Sequence, residues 1–100
     1  MDLKLTGKTA LVTGSTAGIG FGIARRLLQE GASVIINGRT EDRINSALNR
    51  LRQSIPDCIA QGFAADFSDA NSVNLLLETH KVVDILINNV GIFRRNRLRR

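Results

Sequence analysis

The chain has 100 residues, of which 43% are hydrophobic, so it is long enough for one small domain with a buried core and leaves little room for a second. Its formal net charge of +5 resides in the five arginines at positions 94–100, so residues 1–93 are electrically balanced and a basic nucleic-acid-binding face is not predicted. The single cysteine, Cys58, and the single histidine, His80, exclude an intrachain disulfide and a Cys/His zinc cluster.

The sequence carries no sign of a membrane segment or an export signal. Its longest apolar runs are far shorter than the roughly 20 residues that cross a bilayer as a helix. The N-terminal stretch MDLKL lacks both the basic start and the apolar core of a signal peptide. These features predict a cytoplasmic protein without a membrane partner.

Strand and helix signals alternate from the N-terminus. Short apolar, β-branched runs at 8–13 and 32–37 are each followed by a turn signal, which predicts two buried strands. Between them Ile19, Ile23 and Leu27 recur at helical spacing. This recurrence predicts a helix of about three turns that carries these side chains on its apolar face.

The alternation continues after the second strand. Thr40 is a suitable N-cap for a second helix, in which apolar residues recur at helical spacing from Ile44 to Ile55 before Pro56 ends it. A weaker strand signal follows at 58–66, where Ile59 and Phe63 are the apolar positions.

The remaining elements are a third helix and a fourth strand. Ser68 or Asp69 can cap the helix, and the run VVDILINN at 82–89 predicts the strand. Strands alternating with helices form βαβ units with right-handed crossovers. The predicted fold class is therefore α/β: a partial doubly wound, Rossmann-like parallel sheet of about four strands in the order 3-2-1-4, with three helices.

A glycine-rich turn joins the first strand to the first helix in the stretch TGSTAGIG, at 13–20. Glycine lets the backbone turn sharply and approach a ligand closely, and the start of a helix presents free N–H groups to an anion. The turn is therefore a predicted pyrophosphate site. Its spacing is T-G-x-x-x-G-x-G, and position 23 is Ile, so the common G-x-G-x-x-G fingerprint is absent.

Two further motifs accompany this turn in the expected order, ADFSD at 65–69 and NNVG at 88–91. Together the three motifs resemble the short-chain dehydrogenase/reductase family, whose glycine motif has the T-G-x-x-x-G-x-G form and whose fourth strand ends in N-N-A-G, with Val90 here in place of alanine. The resemblance implies an NAD(P)-binding Rossmann half over residues 1–93. We expect the arginine-rich residues 94–100 to be a tail outside the family pattern.

The glycine turn and the resemblance together define a predicted cofactor-binding set. Its members are Gly14, Ser15, Thr16, Gly18, Ile19, Gly20, Arg39, Asp66, Phe67, Asn88, Asn89 and Gly91. In the family an aspartate after the third strand contacts the adenine, and Asp66 stands at that place. Aspartate is also a favoured turn residue, so Asp66 could have a purely structural role. For Asn88 and Asn89, cofactor binding and hydrogen bonding to neighbouring strands are equally good explanations. Both alternatives stay open at this point.

Gly38 and Arg39 follow the second strand and bear on the choice of cofactor. An acidic residue there accepts the 2′-OH of the adenosine ribose, whereas arginine pairs with a 2′-phosphate. In the resemblance Gly38 takes the place of the aspartate of NAD-preferring relatives. The sequence therefore favours NADP(H) over NAD(H). Many NADP-preferring relatives have a further basic residue in the glycine turn, at the position that Ala17 occupies here.

The resemblance implies hydride transfer between NADP(H) and a carbonyl or alcohol, but the family's acid/base tyrosine is missing because the chain contains no tyrosine. No catalytic or metal-binding residue is predicted, and whether the chain itself is an enzyme stays open. We expect the N-terminal, NADP(H)-binding part of a reductase. The alternatives are a truncated, non-catalytic cofactor-binding module and a carrier for an arginine-rich tail that binds nucleic acid or an acidic partner. Self-association through an exposed strand is also expected.

Overall fold

A computed structural model of the chain describes residues 4–65, 74–75, 78 and 83–89. Strands and helices alternate in its first part, as the sequence pattern predicts. The elements in chain order are β1 (Thr9–Val12), α1 (Gly18–Gln29), β2 (Ser33–Gly38), α2 (Glu41–Ser54), β3 (Ala60–Ala64) and β4 (Ile85–Ile87). The predicted third helix falls mostly outside the described residues. In its region only positions 74, 75 and 78 are described, and these three are helical.

The four strands form one parallel sheet in the order β3-β2-β1-β4, which confirms the predicted topology. Strand β1 lies between β2 and β4, with Leu11 opposite both Ile35 and Leu86. The chain runs from β1 to β2 and β3 on one side and then returns to β4 on the other. This reversal of direction places a crevice beyond the carboxyl ends of β1 and β4.

The main core lies between one face of the sheet and the two helices. Strand residues such as Val12 and Ile36, both 0% exposed, pack there against apolar side chains of α1 and α2. The helical residues buried in this core are Ala24, Leu28, Ile44, Ala47, Leu48 and Leu51. On the opposite face Leu11 and Ile35 form a smaller buried cluster. Burial of apolar side chains on both faces is the usual arrangement of a parallel sheet.

The apolar face of α1 differs from the prediction at one residue. Ile19 is 72% exposed, whereas Gly20, Ala24 and Leu28 are buried at the same i, i+4, i+8 spacing. Gly20 has to face the sheet because its backbone packs against the glycine turn, and this contact rotates Ile19 away from the core. Ile23 is half-buried at the margin of the same core.

Strand β4 is shorter than the predicted run of 82–89. The backbone N–H of Thr13 donates to the Ile87 carbonyl at 3.0 Å, which is the last strand-like bond between β1 and β4. One step further the Asn89 N–H donates to the Thr13 hydroxyl at 2.9 Å. Side-chain bonding therefore replaces the backbone ladder at Asn88 and Asn89, and the strand ends before them.

No helix in the part of the chain that the structure describes is long and apolar enough to cross a membrane.

The outer edge of β4 gives a prediction about association. Among the described strands β4 pairs only with β1, and Leu86 at its centre is 49% exposed. Exposed apolar edge strands tend to pair with other chains. We expect the 100-residue chain to sediment as a dimer or larger species and Leu86→Lys to shift it toward monomer. Ile59→Lys, at an exposed position beside the opposite edge, is the control. A compact monomer that binds no hydrophobic dye contradicts the prediction.

Candidate functional site

The candidate site lies at the carboxyl ends of β1, β2 and β4. Three predicted segments leave the sheet at this end: the glycine turn after Val12, the Gly38–Arg39 pair and the Asn88–Asn89 pair. Ligands of open parallel sheets bind beyond the carboxyl ends of the strands, where the strand order reverses. The fold therefore brings these three segments to the expected place.

The glycine turn adopts the conformations that its sequence predicts. Gly14 and Gly18 have positive φ angles of 60° and 62°, a region that favours glycine. A Cβ at Gly20 would collide with the Gly14 carbonyl oxygen and would lie 3.0 Å from the Ser15 Cα. Only glycine at position 20 therefore allows α1 to begin this close to the turn.

The first turn of α1 presents a positive pole that no side chain among the described residues caps. Its N-cap residue, Ala17, makes no side-chain capping hydrogen bond, and the first turn contains no acidic residue. In contrast, the Thr40 side chain caps α2 by accepting from the Arg43 N–H at 3.3 Å, and Glu41 and Asp42 lie in its first turn. The first N–H groups of a helix have no partner within the helix, so those of α1 are left to bind an anion.

Ser15 is buried, and its polar groups bond within the protein. The hydroxyl donates to the Val12 carbonyl at 2.6 Å and accepts from the Asn37 N–H at 2.8 Å, while the Ser15 N–H donates to the Asn37 carbonyl at 2.8 Å. Ser15 therefore joins the glycine turn to β2. Its predicted contact with a cofactor stays a prediction.

Asn37 is a residue of the site that the sequence analysis missed. It is 2% exposed, its Oδ1 accepts from the Gly14 N–H at 2.9 Å, and its Nδ2 donates to the carbonyls of Phe63 and Ala65 at 3.1 Å each. The sequence did contain a signal, because an asparagine that ends an apolar strand has to satisfy a buried amide. The pattern does not reveal which partners the amide binds.

The end of β4 also bonds to the glycine turn. The Thr13 hydroxyl accepts the Asn89 N–H and lies 3.3 Å from the Asn88 Oδ1, and the Asn89 Nδ2 donates to the Gly14 carbonyl at 3.3 Å. Gly14 is thus held on one side by Asn37 and on the other by Asn89. These contacts give both asparagines of the NNVG motif a structural role, and their contact with a cofactor stays a prediction.

The end of β2 faces Thr16 across a close contact. A Cβ at Gly38 would lie 2.5 Å from the Thr16 Cγ2, so a side chain at position 38 has no room unless Thr16 moves. Arg39 follows and is exposed. Beside it, between the glycine turn and the start of α2, lies a shallow depression of about 350 Å³. Its lining residues are Thr16, Ala17, Asp42, Arg43 and Ser46.

Three members of the predicted set, Asp66, Phe67 and Gly91, lie outside the described residues. The described chain reaches Ala65, whose N–H donates to the Gly38 carbonyl at 3.0 Å. Ile19, one of the predicted ligand contacts, projects from the uncapped turn of α1 with 72% of its surface exposed. Ile19 is therefore not a core residue, and its contact with a cofactor stays a prediction.

The family model for short chain dehydrogenases matches residues 8–99. The chain belongs to the short chain dehydrogenase family. Among curated proteins it is 47% identical over 93 residues to the uncharacterized oxidoreductase YvaG of Bacillus subtilis, covering 93% of this chain and 35% of YvaG. It is 38% identical over 98 residues to the 3-oxoacyl-[acyl-carrier-protein] reductase FabG of Aquifex aeolicus, covering 94% of this chain and 39% of FabG. The chain thus spans little more than a third of the length of these relatives.

Solved structures of family members resemble the fold. The L-sorbose reductase of Gluconobacter frateurii, complexed with NADPH and L-sorbose, is 33% identical with a TM-score of 0.81, covering 91% of this chain and 36% of the reductase. A metagenomic short-chain oxidoreductase in complex with NADP is 29% identical with a TM-score of 0.70, covering 83% of this chain and 38% of that protein. Both neighbours support nicotinamide dinucleotide binding by this fold.

Proposed function

We propose that the chain binds NADP(H) at the carboxyl ends of its sheet, with the pyrophosphate at the start of α1. The observation that carries this proposal is the uncapped first turn of α1. This turn packs closely on the glycine turn because position 20 is glycine. An uncapped helix start with no acidic residue attracts phosphate through its free N–H groups and its dipole. The neighbours that hold NADPH and NADP support the same ligand class.

The preference for NADP(H) over NAD(H) rests on the end of β2. An acidic side chain at position 38 could accept a ribose 2′-OH, but its Cβ would collide with the Thr16 side chain unless Thr16 moved. Arg39 is exposed beside the glycine turn, and its side chain makes no hydrogen bond or ion pair with the other described residues. A guanidinium in this position is suited to a 2′-phosphate, with which it forms charge-assisted hydrogen bonds.

The longer relatives suggest the reaction that this cofactor half serves. YvaG is called an oxidoreductase and FabG a 3-oxoacyl-[acyl-carrier-protein] reductase. We therefore propose that a protein of their length with this N-terminal part transfers a hydride between NADP(H) and a carbonyl or alcohol, in the cytoplasm.

The absence of tyrosine favours a second candidate function for the 100-residue chain. A domain that keeps the phosphate-binding turn without the family's acid/base residue binds the dinucleotide without turning it over. Both candidate functions include dinucleotide binding, and only the first includes hydride transfer. A binding assay together with an activity assay therefore distinguishes them.

A charge reversal at Arg39 tests the choice of cofactor. We expect the chain to bind NADPH about tenfold or more tightly than NADH, because a charge-assisted hydrogen bond contributes about 1.5–3 kcal/mol. Arg39→Asp is expected to reverse the preference. Arg25→Asp, the same change at an exposed residue of α1, is the matched control and should leave the preference unchanged.

Calorimetric titration of the three proteins with both nucleotides makes the measurement. Equal affinities for NADPH and NADH that Arg39→Asp does not change would contradict the role of Arg39, even if both nucleotides bind.

A further inference from the structure

Asn37 joins the glycine turn, which the proposed function places at the pyrophosphate, to the end of β3, after which the family resemblance implies an adenine contact at Asp66. Its side chain contacts the glycine turn at Gly14 and the end of β3 at Phe63 and Ala65. Resting on the proposed function, we propose that Asn37 is a positioning residue for the dinucleotide. It fixes the glycine turn, which is the pyrophosphate side of the site, relative to the chain after β3, which leads to the adenine side.

The geometry of the amide makes this link rigid. Asn37 pairs with Phe63 in the ladder between β2 and β3, and its Nδ2 reaches one step beyond the ladder to the Ala65 carbonyl. On the other side its Oδ1 accepts from Gly14. An amide group is planar, so one flat group sets the distance between the two segments. Because the side chain is 2% exposed, water does not replace these bonds.

The link also determines which N–H groups are left for a phosphate. The Gly14 N–H is bound to Asn37 and the Ser15 N–H to the Asn37 carbonyl. These two groups are therefore not available to a phosphate, whereas the first N–H groups of α1, from Gly18 onward, have no partner within the helix. A turn held in this way is already ordered before the ligand arrives, which lowers the entropic cost of binding.

The neighbouring position on this strand face is apolar, so a buried amide at position 37 stands out. Ile35, two residues earlier on the same strand face, is buried against Leu11 without any polar partner. An apolar residue at position 37 would leave the Gly14 N–H and two carbonyls without their present partner. Burying unpaired polar groups is unfavourable, so those segments would separate to reach water. The asparagine thus sets the spacing of the site in addition to filling the core.

The experiment compares Asn37→Asp and Asn37→Ser with the unsubstituted 100-residue chain, using NADPH and NADH as probes. Asn37→Asp keeps an acceptor for the Gly14 N–H but loses the donations to the carbonyls of Phe63 and Ala65. We expect the dissociation constants for both nucleotides to rise at least tenfold by the same factor. The NADPH preference is then unchanged, which distinguishes this effect from that of Arg39→Asp.

Two controls separate positioning from general loss of stability. Asn49→Asp makes the same chemical change at an exposed residue of α2 and should not alter either affinity. Leu51→Ala removes a fully buried side chain from α2, so it destabilises the fold without touching the glycine turn. Its folded molecules should bind both nucleotides as the unsubstituted chain does. Weakening by Leu51→Ala as large as that by Asn37→Asp would overturn the proposal.

The remaining outcomes also decide the matter. If the unsubstituted chain binds neither nucleotide, the proposed function fails and this inference fails with it. If it binds and Asn37→Asp binds equally well, the inference alone fails. If neither variant folds, the side-chain amide protons of Asn37 in the unsubstituted chain provide the test. Exchange that NADPH slows at least threefold supports positioning, whereas exchange as fast as that of the exposed Asn49 overturns it.

Discussion

The 100-residue chain is expected to transfer no hydride from NADPH to a carbonyl at an enzymatic rate, even where it binds the cofactor. Hydride delivery leaves developing negative charge on the carbonyl oxygen, and a positioned proton donor contributes about 10²–10⁴-fold at such a step. The family resemblance assigns that role to a tyrosine, and the chain contains none. Loss of substrate orientation removes up to a further ~7–11 kcal/mol of barrier lowering.

NADPH absorbance, followed with a panel of ketones, aldehydes and quinones, makes the measurement. The chain has to come from a host without its own reductases, because a trace of a complete enzyme would mask the result. Saturable turnover that Gly20→Val abolishes would contradict the expectation and would show that a complete active site exists within these residues.

The second large effect is expected at Gly20. An added Cβ there meets the Gly14 carbonyl oxygen, which belongs to backbone held by Asn89, so the turn itself has to shift. Overpacking of this kind costs typically about 1–3 kcal/mol in the free energy of unfolding. We expect Gly20→Ala to lower stability by this amount and to weaken NADPH binding at least tenfold, because the start of α1 moves with the turn.

Gly22 provides a matched control in the same helix. An added Cβ at Gly22 has no heavy atom within 4 Å, and the residue is exposed. Gly22→Ala is therefore expected to raise stability by about 0.5–1 kcal/mol, the usual gain from replacing glycine inside a helix, and to leave NADPH binding unchanged. Urea unfolding and calorimetry of both variants make the comparison. Equal effects of the two substitutions would contradict the role of the close contact.

Much of the fold follows from patterns that act over short distances in the sequence. The two apolar strands, the Thr40 cap and the helical recurrence from Ile44 onward depend on neighbours within a few residues, and the structure contains each of them. The strand order 3-2-1-4 was expected from the doubly wound Rossmann arrangement, to which the alternation of strands and helices pointed, and the structure has this order.

The details that the sequence did not reveal depend on contacts between distant residues. Ile19 fits the helical spacing of a core residue, but the packing of Gly20 on Gly14 rotates it into solvent. Asn37 forms hydrogen bonds with residues 23 and 28 positions away, so no local pattern identifies its partners. Ser15 stands within a phosphate-binding motif, yet its hydroxyl bonds inside the protein. Motifs locate the site, whereas tertiary packing decides which of its atoms face the ligand.

The most direct test of the central claim, that the dinucleotide binds over the first turn of α1, is an amide NMR titration of the full chain with NADPH. We expect saturable shifts at Gly18, Ile19 and Gly20, which form the start of α1. The amide signals of Lys8 and Gly31, which lie near the amino ends of β1 and β2, should not shift. Saturable shifts confined to that opposite end, or no saturable shifts at all, would contradict the account.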